Sequence, residues 1–87
     1  MIKETQTLPK WFNGIKYTKG ETVTNKVTGQ DYDLNNIELS MYDFIMGYSY
    51  VRSISPDHIS KKIEIDYKKA ISWFMANNAT AYMVLLD

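Results

Sequence analysis

The sequence predicts an α+β domain in which a short N-terminal antiparallel β-meander packs on a bundle of three to four helices. Three observations carry this. The first third of the chain breaks into short β-branched runs separated by turn residues. An asparagine at 35 and a glutamate at 38 form a capping box at the head of a long apolar segment of helical period. Ser55-Pro56-Asp57 then marks a second helix start: a serine cap, proline at the first helical position and an acid in the first turn.

Bulk properties bound the answer. With 87 residues, 45% of them hydrophobic and 14% aromatic, the chain has core material for one ordered domain. Residues 1–9 are polar, end in Leu8-Pro9 and read as a flexible tail; 10–87 read as a single small globular domain. Ten basic and ten acidic residues give zero net charge, so no long-range field draws nucleic acid or an anionic membrane. Cysteine is absent, which removes disulfides and thiolate metal sites and fits a reducing cytoplasm. No apolar run approaches the roughly 20 residues of a spanning helix, and the start lacks the apolar stretch of a signal peptide. Asn78-Ala79-Thr80 has the form of a glycosylation acceptor, read here as chance.

The meander comes first. Asn13-Gly14 stands between the apolar runs Trp11-Phe12 and Ile15-Lys16-Tyr17, the strongest short-range hairpin signal. Glu21-Thr22-Val23-Thr24 reads as a strand, Asn25 to Gln30 as a turn, and Asp31-Tyr32-Asp33-Leu34 as an alternating, half-buried strand. Two or three such strands are marginal alone and need a partner to pack on.

That partner is a central helix over 36–52. Ile37, Met41, Phe44, Ile45, Tyr48 and Val51 share its core face at the 3.6-residue period. Leu39, Tyr42, Met46 and Tyr50 form a second apolar face, leaving only Glu38, Ser49 and a seam of Ser40, Asp43 and Gly47 polar or small. Glycine at 47 costs about 1 kcal/mol against alanine, and its first reading is close approach of another backbone. A second helix over 57–76 would align Ile59, Ile63, Tyr67, Ala70, Trp73 and Phe74. Lys62–Tyr67 also alternates as a strand would, so helix is the firmer reading only for 66–76. The closing run, capped by Asn78, places Ala79, Tyr82, Met83 and Leu86 on one stripe of a short helix; pairing with the meander as a strand is the alternative. A run this short holds a helix only by packing.

Two stretches carry a resemblance: GETVTNKVTGQDYDLNNIELSMYDFIMG (20–47) and AISWFMANNATAYMVLLD (70–87), about half the chain. Their "VTN..TG" hairpin, "E.SMYDFI.G" helix and terminal "WF..NN..AYMVLLD" resemble short proteins, with no assigned activity, encoded by marine tailed bacteriophages. In those proteins proline tends to follow the VTN asparagine and the NN pair. Lys26 and Ala79 stand there in this chain, so both turns are less rigidly specified. The resemblance implies a phage or phage-related marine source and the cytoplasm of an infected bacterium, and it brings no activity.

Chemistry is sparse. His58, the one histidine, reads as a solvated helix-start residue without a nucleophile in sight. Asp31 and Asp33 share one strand face and could ligate a hard cation, although a polar outer face is the plainer reading. There is no calcium loop, phosphate-cradling glycine motif or zinc pattern, so no cofactor, metal or catalytic set is assigned. The best partner-binding candidates are Trp11, Phe12, Leu39, Tyr42, Met46 and Tyr50, residue types that interfaces favour. Lys61, Lys62, Lys68 and Lys69 form the nucleic-acid alternative, against a plain solvated face with a Glu64–Lys68 pair. The expectation is a small non-enzymatic protein-interaction module that docks on a second copy or a host protein. Nucleic-acid binding is the alternative.

Overall fold

The computed structural model describes residues 6–86. Two strands, β1 (Glu21–Thr24) and β2 (Asp31–Leu34), form a two-stranded antiparallel sheet. Helix α1 (Asn36–Ile54), a short 3-10 turn (Pro56–His58), α2 (Lys61–Asn77) and α3 (Ala79–Leu85) follow. The architecture is α+β, with a hairpin on a small group of three helices. Both strands occupy the residues their patterning predicts. Val23 pairs with Tyr32 and Glu21 with Leu34, which puts the apolar side chains on the face that meets the helices.

The first predicted hairpin is absent. A two-residue hairpin turn of the favoured kind needs positive φ at both central positions. Among the described residues only Gly29 has positive φ, at 79°, so Asn13-Gly14 makes no such turn. Gly14 answers to packing instead: a Cβ there would lie 2.7 Å from the edge of the Phe12 ring. The segment wraps the core rather than forming a strand. Of the predicted flexible tail, residues 1–5 lie outside the described residues, while Gln6 is hydrogen-bonded to the helices and Leu8 packs against the core.

Helix α1 starts as predicted. The Asn35 side chain accepts from the Glu38 N–H at 2.8 Å, and the Glu38 carboxylate accepts from the Asn35 N–H at 3.0 Å. The second helix starts later than Ser55-Pro56-Asp57 implies. Those residues make only the 3-10 turn, with no side-chain cap, and Ser60 caps α2 by accepting from the Ile63 N–H at 3.2 Å. Residues 62–67, open between strand and helix in the sequence, are helical. Asn78 caps α3 as expected, accepting from the Ala81 N–H at 3.1 Å.

Phe74, Met41 and Ile45 lie at the centre of the core, ringed by Phe12, Leu34, Leu39, Ala70, Ala81 and Leu85. Tyr48 stacks on Tyr67, rings 4.0 Å apart and within 15° of parallel, joining α1 to α2. The predicted core faces of α1 and α2 face inward except at one residue each, and only the stripe of α3 is displaced. Val51 and Ile63 are exposed, and α3 buries Ala81 and Leu85 while Met83 and Ala79 face outward. No described helix is long and apolar enough to cross a membrane.

Candidate interaction surface

The six partner-binding candidates divide. Phe12 and Leu39 are core residues, 4% and 7% exposed, which removes them from any docking surface. Phe12 is consumed by an edge-on contact with Phe44 at 5.9 Å. Leu39 belongs to the same cluster, because the segment before β1 and the hairpin cover that end of α1. Trp11 is half-buried beside Phe12 and Phe44. Tyr42 is half-buried beneath the hairpin. Met46 and Tyr50, 44% and 66% exposed, remain on the outside. Val51 and Ile54 extend their row to the end of α1, and Ile63 and Ile65 present further apolar surface on α2. Val51 belongs to the predicted core face, which loses its cover toward the C-terminal end of α1, and Ile54 lies beyond the end of the helix predicted at 52.

Two grooves flank this row. The first, about 400 Å³, lies between the hairpin turn, Tyr42 and Met46 of α1, and Leu85 and Leu86. The second, about 330 Å³, is lined by Ile15, Phe44, Gly47, Val51, Ile59 and Ile63, with Asp43 and His58 at its polar positions. Gly47 is exposed, and a Cβ built on it meets nothing within 4 Å. The close approach of a backbone expected at this glycine is therefore not made among the described residues. Asp43 and His58 share the groove, but no serine, threonine, cysteine or lysine lines it.

A polar cluster closes the opposite end of α1. Glu38 is 1% exposed. Besides the cap, its carboxylate accepts from Gln6 Nε2 at 2.9 Å and Asn78 Nδ2 at 3.0 Å. Gln6 also accepts from Asn35 Nδ2 at 2.8 Å, and the Tyr32 hydroxyl donates to Asn78 Oδ1 at 3.3 Å. Every buried polar side-chain atom among the described residues has a partner, so this cluster leaves no open valence for a ligand. Sequence reasoning found the cap but not the burial; the asparagine pairs at 35–36 and 77–78 were its available signal.

Lys61, Lys62, Lys68 and Lys69 are all exposed on α2, on one arc by the helical period. Ile65 and Ser72, not an aromatic ring, lie between them on that arc. The expected Glu64–Lys68 pair is not among the ion pairs of the described residues; Lys62 pairs instead with Asp66, 6% exposed, at 2.7 Å. Asp31 and Asp33 accept from the hydroxyls of Thr24 and Thr22 across the hairpin. Among the described residues no group of three or more acids, histidines or cysteines could hold a metal ion. Two tyrosines are perturbed. Partial burial, then the Asp43 and Glu21 carboxylates, raise Tyr17 above its ordinary 10.0, and burial alone raises Tyr42. No protein-family model, curated protein or solved structure matches the chain.

Proposed function

We propose that the protein is a small non-enzymatic interaction module, a phage accessory protein in the light of its sequence resemblance, that docks an apolar surface on a second copy of itself or on a host protein. The observation that supports this is the row Met46, Tyr50, Val51 and Ile54 on the outer face of α1, each more than a third exposed. Exposed apolar residues scattered singly need no explanation, whereas a contiguous row beside two apolar grooves has the composition of an interface centre. The test is solution mass by light scattering across a concentration range, with capture from bacterial lysate in parallel. Met46→Asp with Tyr50→Asp should leave the circular dichroism unchanged and lower the mass or abolish capture. A pair of variants indistinguishable from the parent in both assays would sink the reading.

The alternative, nucleic-acid binding, is supported by the four lysines sharing one arc of α2. It predicts salt-sensitive DNA or RNA binding that Lys61→Glu with Lys68→Glu abolishes. Binding that survives both changes would rule that arc out.

A further inference from the structure

We infer that the hairpin tip of one copy, Lys26-Val27, docks in the Gly47 groove of a second copy. The inference rests on the proposed self-association and names its contact.

The tip has the properties of a preorganised knob. Val27 is 94% exposed, more than any other large apolar residue described. Turn tips favour polar residues that tolerate water, so an apolar one held fully outside has no role in this chain's own core. It is also held firmly. Asn25 Oδ1 accepts from the Val27 N–H at 2.8 Å and the Thr28 N–H at 3.3 Å. The Gly29 N–H donates to the Asn25 carbonyl at 2.7 Å, with Gly29 at the positive φ this closure needs. Asn25 Nδ2 then donates to the Val84 carbonyl at 2.9 Å, fastening the turn to α3. A side chain presented on a fixed turn loses little entropy on docking, which is how rigid anchors gain affinity.

The groove has the matching properties. It is lined by Ile15, Phe44, Val51, Ile59 and Ile63, and by the exposed Gly47, where a Cβ would meet open space. Asp43, which faces the Tyr17 hydroxyl, also lines this groove, and among the described residues neither it nor Lys26 beside the knob forms an ion pair. Valine in an apolar groove and lysine on aspartate are complementary in polarity and in charge. Lys26 and Asp43 also line one crevice within a single chain, so the test must separate contacts within a copy from contacts between copies.

Mixing does so. Val27→Asp destroys the knob and Gly47→Leu fills the groove. Both positions face open solvent, and circular dichroism with thermal melting checks that both variants fold. Light scattering should find each variant's self-association weakened by roughly tenfold or more. An equimolar mixture should recover association, because an intact knob meets an intact groove. Lys26→Glu and Asp43→Lys should likewise associate better mixed than apart, which no contact within one chain can produce. Variants that associate like the parent, or mixtures no better than their components, overturn this contact. If Met46→Asp with Tyr50→Asp then still abolishes association, the interaction module stands and only its contact was misassigned. A parent chain that stays monomeric throughout overturns the contact, and lysate capture alone then decides the module.

Discussion

The two halves of α1 obey opposite rules. Its first half buries polar side chains: Glu38 and Ser40 are sealed from water, and Ser40 Oγ donates to the Asn36 carbonyl while accepting from the Tyr17 N–H. Its second half exposes apolar ones, Met46, Tyr50, Val51 and Ile54. Hydropathy alone predicts the reverse. The difference lies in what surrounds each half. Gln6, the segment around Tyr17, the hairpin and Asn78 all converge on the first half, and between them supply enough donors to bury a carboxylate. The second half receives mainly α2, through Tyr48 on Tyr67, and its outer face is left without cover. Burial in this protein follows the supply of neighbours along one helix more closely than the character of the residue.

The largest effect that would break this comparison is at Glu38. Glu38→Ala strands the Gln6 and Asn78 amides and removes half of a cap, for an expected loss of about 3–5 kcal/mol, a large share of a small domain's stability. Urea unfolding measures it. A loss below about 1 kcal/mol would mean that water replaces the carboxylate and that the first half is not sealed. Leu39→Ala should cost about 2–5 kcal/mol as a core truncation, while Met46→Ala, two turns along, stays within about 0.5 kcal/mol. Similar values for the two would erase the distinction between the halves. Gly47→Ala should stabilise by about 1 kcal/mol, because the helix gains a better former and the added methyl meets open space. Destabilisation there would show that the exposed half is under backbone constraint.

The smallest effect is alkaline. Tyr17 and Tyr42 have folded pKa values raised above 10.0. Both phenols are protonated in either state below pH 10, so stability is level there. Above it the unfolded chain loses these protons first, and stability falls as pH rises toward the folded values. Tyr42→Phe should flatten part of that decline in pH-dependent denaturation. An unchanged slope would mean that Tyr42 titrates as a solvated phenol and that the hairpin covers it less than its burial implies.

Local chemistry was legible and tertiary geometry was not. The two strands, the Asn35–Glu38 box and the Asn78 cap were readable because each is closed by atoms within a few residues. The Asn13-Gly14 hairpin failed because glycine can serve either a turn or a close contact, and only the position of the Phe12 ring decides which. Ser55 loses the cap to Ser60 for a related reason: both have the right chemistry, but the Ser55 N–H closes α1 on the Val51 carbonyl and a 3-10 turn separates it from α2. Of the candidate surface, Met46 and Tyr50 follow from the helical period; Leu39 fails because periodicity separates the faces of a helix without saying which are covered, and Phe12, chosen as an aromatic of the type interfaces favour, fails because residue type does not tell a core ring from an exposed one.

The Glu38 cluster also has a consequence for motion. It joins residues 6, 35, 38 and 78, so one knot holds the chain's opening segment, the head of its longest helix and the start of its last. In most small domains the ends fray independently and at little cost. Here neither Gln6 nor Asn78 can lift away without leaving the glutamate short of a donor. The Glu38 and Ala81 amides, bound to their caps, should therefore exchange with solvent at matching rates, both set by one shared opening. The apolar run that closes the chain is held by the same knot, and local unfolding would begin instead at the bare end of α1.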